Sequence, residues 1–227
     1  MCNDASKAFD RINHSSLFTK LLEKNVPLCF VQIIINWYSK LLSCVRWNDA
    51  VSTSFRVHCG VRQGGILSPI LFNLYVDNLI ESLQNSGLGC YICTSFLGCI
   101  MYADDLILLS PSIDGLQGML NLCTVYGANF DIMFNIKKTV CIVVGKHCCV
   151  NLPDMFLSNL VIPWSEQFKY LGIVFNAKCE LEVDCSVIKR KFYASFNSII
   201  YKCSAAAEPV KLHLIKSYCL PLLTYNM

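Results

Sequence analysis

The sequence lacks any apolar run long enough to cross a membrane. Its most apolar stretch, 26–45, is interrupted by Pro27, Gln32, Asn36, Lys40 and two serines, whereas a spanning helix needs roughly 18 uninterrupted apolar residues. The first residues also lack a basic segment followed by an apolar one, so we expect no secretory signal. The sequence therefore predicts no membrane partner and an intracellular location.

The sequence is also poor in charge. Charged residues make up 15% of the 227 positions, hydrophobic residues make up 54%, and no internal repeat or low-complexity tract is evident. This composition excludes a disordered chain, which has too little apolar surface to bury. We predict one large folded domain or two small ones. The net charge of +3 is too small to identify a polyanionic partner by itself.

The fifteen cysteines lack the spacing of a zinc site. Cys90-x-x-Cys93 is the only CxxC, and the next candidate ligands, His147 and Cys148, follow much later. A structural zinc site usually needs a second pair at a compatible spacing. Disulfide scaffolds are usually much shorter and secreted. We expect reduced, mostly buried thiols, and a zinc protein using these four residues stays open as an alternative.

What the sequence does contain is a pair of adjacent carboxylates between two apolar runs. Asp104 and Asp105 follow Tyr102 and Ala103, and apolar residues 99–101 and 106–109 flank this step. The pattern predicts two buried strands joined by a tight turn. Carboxylates this close repel each other unless a cation compensates, and magnesium is the hard cation that prefers such oxygens. An exposed acidic turn is the alternative interpretation.

Helical patterns surround this hairpin. One apolar stripe at helical spacing predicts a buried helix face, formed by Phe30, Ile33, Ile34, Trp37 and Leu41. A glycine-containing loop, 60–65, precedes Ser68 and Pro69, which we expect to be the cap and first residue of a helix ending near Gly87. Such a loop can bind phosphate at a helix start, although it is neither a Walker loop nor GxGxxG. A hairpin is expected around Asn48-Asp49.

The second half of the sequence predicts more strands and then helices. We expect a short helix between Ser112 and Tyr126, an extended segment over 130–144, and a strand over 168–175 with a glycine bend. Helical periodicity resumes beyond about residue 178. A basic cluster there, Lys189-Arg190-Lys191, is either a solvated helix face or a contact for phosphates.

Taken in order, these blocks resemble the reverse transcriptases of non-LTR (LINE-type) retrotransposons. DASKAFDRINH is similar to the first palm motif of that family, GVRQGGILSPILF to the second and YADD to the third, while NIKKT and FKYLG are similar to the fourth and fifth. The resemblance implies an α+β fold: a right-hand polymerase palm over 1–177, with a mixed or antiparallel sheet and helices packed on one face. A partial helical thumb would follow over 178–227.

The resemblance implies an RNA-directed DNA polymerase that adds dNTPs to a primer 3′-hydroxyl along an RNA template. Asp4 and Asp104 would hold two Mg²⁺ ions, with Mn²⁺ as a substitute, for an in-line displacement of pyrophosphate. Asp105 would support the site or the metal less directly. Phe9 would exclude a 2′-hydroxyl, although a core phenylalanine is the alternative.

The other motif residues take on roles through the same resemblance. Gln63 and Gly64 would contact the incoming nucleotide. Lys138 would donate a proton to pyrophosphate, with Lys137 as its substitute and a solvent-exposed lysine as the alternative. Contacts to the DNA primer and the template would come from Tyr170, Leu171, Gly172, Lys189, Arg190 and Lys191.

Two parts of the family pattern are missing from the sequence. Met1 lies three residues before Asp4, so we expect the fingers and the endonuclease to be encoded elsewhere or lost. Positioning supplies much of the rate of phosphoryl-type transfer, so we expect little activity from this fragment alone. A non-catalytic nucleic-acid-binding remnant of a retroelement is the alternative function.

Overall fold

The computed structural model describes residues 2–4, 8–145 and 152–224, and for residues 2–4 and 8 it describes the backbone only. Some sequence predictions lie outside the described residues. They include Ala5, Ser6 and Lys7 of the first motif and the zinc candidates His147 and Cys148.

Eight helices occur in the described residues. They are α1 (Ala8–Arg11), α2 (His14–Glu23), α3 (Leu28–Ser39), α4 (Ser68–Asn85), α5 (Ile113–Phe130), α6 (Ser186–Lys202), α7 (Glu208–Tyr218) and α8 (Leu220–Thr224). None of the helices described here is both long and apolar enough to cross a bilayer.

The strands are short, and every strand pair among the described residues is antiparallel. The strands are β1 (Cys2–Asp4), β2 (Leu42–Ser43), β3 (Arg46–Trp47), β4 (Ala50–Val51), β5 (Phe55–Arg56), β6 (Tyr91–Ile92), β7 (Ser95–Phe96), β8 (Cys99–Tyr102), β9 (Asp105–Leu108), β10 (Met155–Leu157), β11 (Leu160–Ile162), β12 (Gln167–Tyr170), β13 (Ile173–Ala177) and β14 (Leu181–Asp184). Helices together with small antiparallel sheets confirm the α+β class.

The chain divides into two compact units, and the first comprises residues up to Cys141 together with Pro153–Pro163. Helices α2, α4 and α5 pack side by side in this unit, and its three-stranded sheet has the order β1-β9-β8. The core is mostly apolar and almost completely shielded from solvent. Burial of apolar surface is the main favourable term in folding. Its fully buried side chains include Leu17, Leu21, Leu71, Phe72, Tyr75, Leu79, Leu83, Leu106, Leu108, Met119 and Leu120.

The second unit comprises Ile142–Leu152 and Trp164–Met227. It contains a three-stranded sheet with the order β12-β13-β14 and the helices α6, α7 and α8. Phe168 stacks on Phe175 across β12 and β13, with ring centroids 5.0 Å apart. Among its described residues the buried apolar side chains are those of Phe168, Ala177 and Cys219, so this unit has a much smaller core.

The prediction that the stripe on α3 is buried is wrong. Phe30 is 58% exposed, Ile33 63% and Trp37 46%, whereas the buried residues of this helix are Val31 and Tyr38. Helical periodicity identifies which residues share a face, but it does not show that another element covers that face.

Two helix starts show how caps are chosen. The predicted cap Ser68 is wrong, because Leu67 occupies the N-cap position of α4 and the Ser68 hydroxyl donates to the Arg62 carbonyl. The start of α5 is confirmed, since Ser112 Oγ accepts from the Gly115 amide at 3.1 Å. This helix continues to Phe130, four residues beyond the predicted end. The predicted end of α4 is confirmed by Gly87, which has a φ of +70°.

Turns interrupt two segments that the sequence predicts to be extended. The extended segment over 130–144 is wrong, because the Asn135 carbonyl accepts from the amides of Lys138 and Thr139, both at 3.0 Å. For 168–175 the predicted extended backbone and glycine bend are confirmed, but the segment forms two strands, β12 and β13, and not one. Leu171 and Gly172 adopt positive φ values, +47° and +86°, and form the turn between β12 and β13.

The cysteines of the described residues are all free thiols, but most are not buried. Cys123, Cys141 and Cys219 are the buried ones, so the prediction of mostly buried thiols is wrong. Burial raises the pKa of Cys99 to about 11 and that of Cys141 to about 11. These thiols therefore stay protonated and unreactive at neutral pH.

Candidate active site

The acidic pair lies at the tip of the β8–β9 hairpin. Tyr102 pairs with Asp105, so Ala103 and Asp104 form a two-residue turn, as the sequence predicts. The next residues of β9, Leu106 and Leu108, are buried and fix the strand to the core. Ala103 has a φ of +51°, which is uncommon for a residue with a side chain and marks a constrained turn.

Strand β1 brings a third aspartate to the same hairpin. It pairs with β9 in antiparallel register, and Asp4 lies opposite Asp105. Directly opposite residues in such a pair have Cα atoms about 4.5–5.5 Å apart. The fold therefore joins two backbone positions that are far apart in the sequence.

The metal-ligand prediction stays a prediction. The described part of the chain contains no group of three or more His, Cys, Asp or Glu side chains that could hold a metal ion. The third carboxylate that the prediction needs is that of Asp4, and only the backbone of Asp4 is described. Of the zinc candidates, Cys90 is half-buried and Cys93 is an exposed residue of the β6–β7 turn.

The predicted nucleotide-selecting residue, Phe9, has a half-buried ring that stacks on another aromatic. Its centroid lies 4.8 Å from that of Phe72, with 26° between the ring planes. Phe72 is 1% exposed and belongs to α4, so it gives Phe9 a rigid support. Stacked aromatic pairs contribute about 0.5–1.5 kcal/mol beyond the area they bury. The ring of Phe9 is therefore held in one orientation.

The glycine-containing loop is fastened to the segment that follows Phe9. The amide of Val61 donates to the Phe9 carbonyl at 2.7 Å, and the amide of Gly60 donates to the Ile12 carbonyl at 2.8 Å. Gly60 has a φ of +86°, and a Cβ atom there would lie 2.7 Å from the Asp10 carbonyl oxygen. Only glycine satisfies both constraints without displacing the chain.

The side chain of Gln63 also contacts this segment. Its Nε2 atom donates to Asp10 Oδ1 at 3.1 Å. Gln63 and Gly64 are exposed, and Gly64 has a φ of +80°. A cleft of about 430 Å³ lies beside these residues, lined by Asp10, Leu41, Leu42, Ser43, Val57, Cys59, Gly60, Val61, Arg62 and Gln63. The first and second motifs are thus brought together around an open cleft.

The fourth motif forms a turn in the first unit. Besides the two backbone bonds to its carbonyl, Asn135 accepts from the Lys137 amide through Oδ1 at 3.2 Å. Thr139 is buried and its hydroxyl donates to the Asn135 carbonyl at 2.8 Å. Lys137 and Lys138 are both exposed. The turn therefore has a fixed base and presents two lysines to solvent.

The predicted primer and template residues all lie in the second unit. Tyr170 is the last residue of β12, Leu171 and Gly172 form the turn that follows it, and Leu171 is 39% exposed. Lys189, Arg190 and Lys191 are exposed on the first turns of α6. The first turns of α6 thus offer three cations to solvent.

The sequence reasoning missed two residues of this region. Asp10 was part of the first motif but received no role, and its contact with Gln63 could not be inferred from spacing. His14 is the second, since its Nε2 atom lies 2.8 Å from the Gly60 carbonyl oxygen. Aspartate and histidine within ten residues of a candidate metal ligand are a weak signal that could have singled them out.

These features define a class of enzyme when they are combined with the family comparison. Residues 1–175 match the family model described as "Reverse transcriptase (RNA-dependent DNA polymerase)". The chain therefore belongs to the reverse transcriptase family. Members of this family generally use divalent metal ions.

Similar proteins come from non-LTR retrotransposons. The chain is 32% identical over 184 residues to the "Retrovirus-related Pol polyprotein from type-2 retrotransposable element R2DM" of Drosophila melanogaster. The aligned region covers 77% of this chain and 17% of that protein. It is 30% identical over 240 residues to an R2 Pol polyprotein of Popillia japonica, covering 99% of this chain and 32% of the relative. The "Probable RNA-directed DNA polymerase from transposon X-element" of Drosophila melanogaster is 24% identical and covers 84% of this chain and 21% of the relative. The chain thus spans about a third or less of these curated relatives, and the resemblance to non-LTR reverse transcriptases is confirmed.

Proposed function

We propose that the chain carries the palm site of a non-LTR retrotransposon polymerase, which adds dNTPs to a DNA primer along an RNA template. The observation that carries this proposal is the register of β1 against β9. Asp4 lies opposite Asp105, and Asp104 is the residue before Asp105 in the chain. Three aspartates at one end of a small sheet are a costly arrangement unless cations are bound.

The residues at this end of the sheet fit magnesium. Asp104 and Asp105 are half-buried and adjacent, and carboxylate oxygens are the ligands that magnesium prefers. Asp4, Asp104 and Asp105 would hold the ions. When bound, two such ions would stabilise the attacking and leaving oxygens of an in-line displacement.

The chain's own residues would select and orient the reactants. The ring of Phe9, supported by Phe72, would exclude a 2′-hydroxyl by its bulk and so favour deoxynucleotides. Gln63 and Gly64 would contact the incoming nucleotide beside the cleft. Lys138, or the adjacent Lys137, would donate a proton to the departing pyrophosphate, since both are exposed on a fixed turn.

The second unit would contact the template–primer duplex. Lys189, Arg190 and Lys191 are exposed and would meet backbone phosphates without reading sequence. Tyr170, at the end of β12, and the following turn of Leu171 and Gly172 would position the primer end. We assign the thumb role to α6, α7 and α8 on the same basis, and binding through these cations should weaken as salt rises.

The experiment compares Asp104→Asn with Asp114→Asn in the purified chain. Asp114 is an exposed aspartate in the first turn of α5 and lies outside the proposed ligand set. Binding of Mn²⁺ is titrated by electron paramagnetic resonance, and single-nucleotide incorporation is measured on a primed RNA template at high protein concentration. We expect Asp104→Asn to lose both signals and Asp114→Asn to keep both. Unchanged Mn²⁺ binding or wild-type incorporation in Asp104→Asn would overturn the assignment.

A further inference from the structure

Two kinds of contact hold the loop 60–65: backbone hydrogen bonds at its base and a side-chain hydrogen bond made by Gln63. Backbone bonds from Gly60 and Val61 to the segment 9–12 fix the base of the loop. They do not constrain the side chain of Gln63, which is exposed and has three rotatable bonds. Ordering such a side chain costs conformational entropy. Some further contact must therefore fix Gln63 if it is to contact a nucleotide.

Asp10 supplies that contact. Its Oδ1 atom accepts from Gln63 Nε2 at 3.1 Å, and the backbone of Asp10 is itself held against Gly60. The acceptor, Asp10, therefore belongs to the same segment, 9–12, that holds the base of the loop. A hydrogen bond to a charged acceptor is stronger than one between two neutral groups, so this contact favours one orientation of the Gln63 side chain.

The chemistry of a carboxylate also decides which way the amide faces. An ionised carboxylate only accepts hydrogen bonds, whereas the side-chain amide of glutamine has a donor end and an acceptor end. Asp10 must therefore engage the NH₂ group of Gln63. The Gln63 Oε1 atom and the second N–H remain for a ligand.

The charge of Asp10 argues against a direct contact between Asp10 and a nucleotide phosphate. Two negative groups at contact distance repel each other, so a phosphate is a poor partner for Asp10. A hydroxyl or amino group of the sugar or base is the complementary partner for the Oε1 acceptor of Gln63. Asp10 is thus suited to act through Gln63.

We propose that Asp10 is a positioning residue, which fixes the amide of Gln63 so that its Oε1 atom accepts from a hydroxyl or amino group of the incoming nucleotide. This inference rests on the proposed polymerase function. It gives a role to Asp10, which had none, and it specifies that Gln63 accepts the hydrogen bond from the nucleotide.

The first experiment needs no activity. The side-chain amide of Gln63 is observed by NMR in a ¹⁵N-glutamine-labelled chain, with its signal assigned by its loss in Gln63→Met. Asp10→Ala should move this signal toward the position of a mobile glutamine, and Asp10→Asn should keep most of the wild-type shift because asparagine retains an acceptor. Asp49→Ala, which removes an exposed aspartate next to Asn48 in the β3–β4 turn, is the matched control.

The second experiment measures the dNTP dependence of single-nucleotide incorporation on a primed RNA template. Loss of one charged hydrogen bond predicts about a tenfold rise in the dNTP KM for Asp10→Ala, with a much smaller change in kcat. The same substitution in a Gln63→Met background should raise KM no further. An equal rise in that background, or an unchanged Gln63 amide signal in Asp10→Ala, would overturn the proposal. Absence of both Mn²⁺ binding and incorporation in the wild-type chain would instead overturn the polymerase function, and the amide signal would still decide whether Asp10 orders Gln63.

Discussion

Lys20 is a lysine in a core where lysines are rare. Its side chain is 3% exposed, and its ammonium lies 3.8 Å from the ring centroid of Phe130, 4.8 Å from that of Tyr126 and 5.0 Å from that of Tyr75. It donates to the Tyr75 carbonyl and to the Tyr126 hydroxyl. Ring faces and two acceptors stabilise the cation, but burial dominates and lowers the pKa of Lys20 to about 8.

This pKa makes stability depend on pH in a defined window. Between pH 8 and 10.5 the unfolded chain keeps the Lys20 proton while the folded chain loses it, so the free energy of unfolding should rise with pH. A shift of this size corresponds to a rise on the order of 3 kcal/mol across the window. Lys20→Met should abolish this contribution and leave the neighbouring Tyr126–Tyr75 hydrogen bond intact.

Urea unfolding at pH 7.5, 8.5 and 9.5, with a reductant present, measures the difference in the free energy of unfolding between the wild type and Lys20→Met. Effects of other titrating groups largely cancel in that difference. Lys24→Met is the control, because hydrogen bonds to Asp77 and Glu81 raise the pKa of Lys24 above its ordinary value. The contribution of Lys24 to the free energy of unfolding is fully present below pH 10.5, so it should stay constant over the three pH values. A difference for Lys20→Met that is flat with pH would contradict a lowered pKa.

At the scale of elements, local signals predicted some structures well and others poorly. The β8–β9 hairpin follows from two apolar runs around Asp104 and Asp105, and the α5 start follows from Ser112. The failures come from local hydrogen bonds that compete with strands. Asn135 closes a turn where apolar flanks suggested extension, and Leu171 adopts a left-handed conformation that propensity alone does not predict.

Helix α3 shows a different limit of sequence interpretation. The predicted stripe that begins at Phe30 has the spacing of one helix face, but the buried residues of α3 are Val31 and Tyr38. Because this helix has no charged residue, both sides look equally suited to a core. Which side is buried depends on how α2 contacts it, and that is a tertiary property.

Two substitutions on α3 should therefore differ sharply in their effect on stability. Ile33 is 63% exposed, so Ile33→Lys should change the free energy of unfolding by no more than about 0.5 kcal/mol. Val31 is completely buried, so Val31→Ala should cost about 2 kcal/mol through lost burial and a cavity. Chemical denaturation of both variants measures this contrast. A loss at Ile33 equal to that at Val31 would mean that the exposed face is covered.

At the scale of the whole molecule, pairing between distant segments is what the sequence alone could not supply. Periodicity predicts that a strand exists, but it does not tell which strand lies beside it. The meeting of the first and third motifs came from the family resemblance, and the β1–β9 register now gives it a backbone position. The Asp10–Gln63 contact had no such precedent, because it depends on how the loop 60–65 folds back.

The two compact units differ in how much apolar surface they bury, so they should differ in local stability. Helices α4 and α5 each contribute seven buried residues, whereas α6, α7 and α8 contribute none in the part of the chain described. Local opening is easiest where few side chains must be exposed to water. We expect amide protection factors in α6 and α7 to be lower than those in α4 and α5 by at least roughly tenfold. Hydrogen exchange of the whole chain, followed by mass spectrometry with correction for intrinsic rates, makes this comparison within one sample. Equal protection of all four helices would show that the second unit is stabilised by more than its own small core.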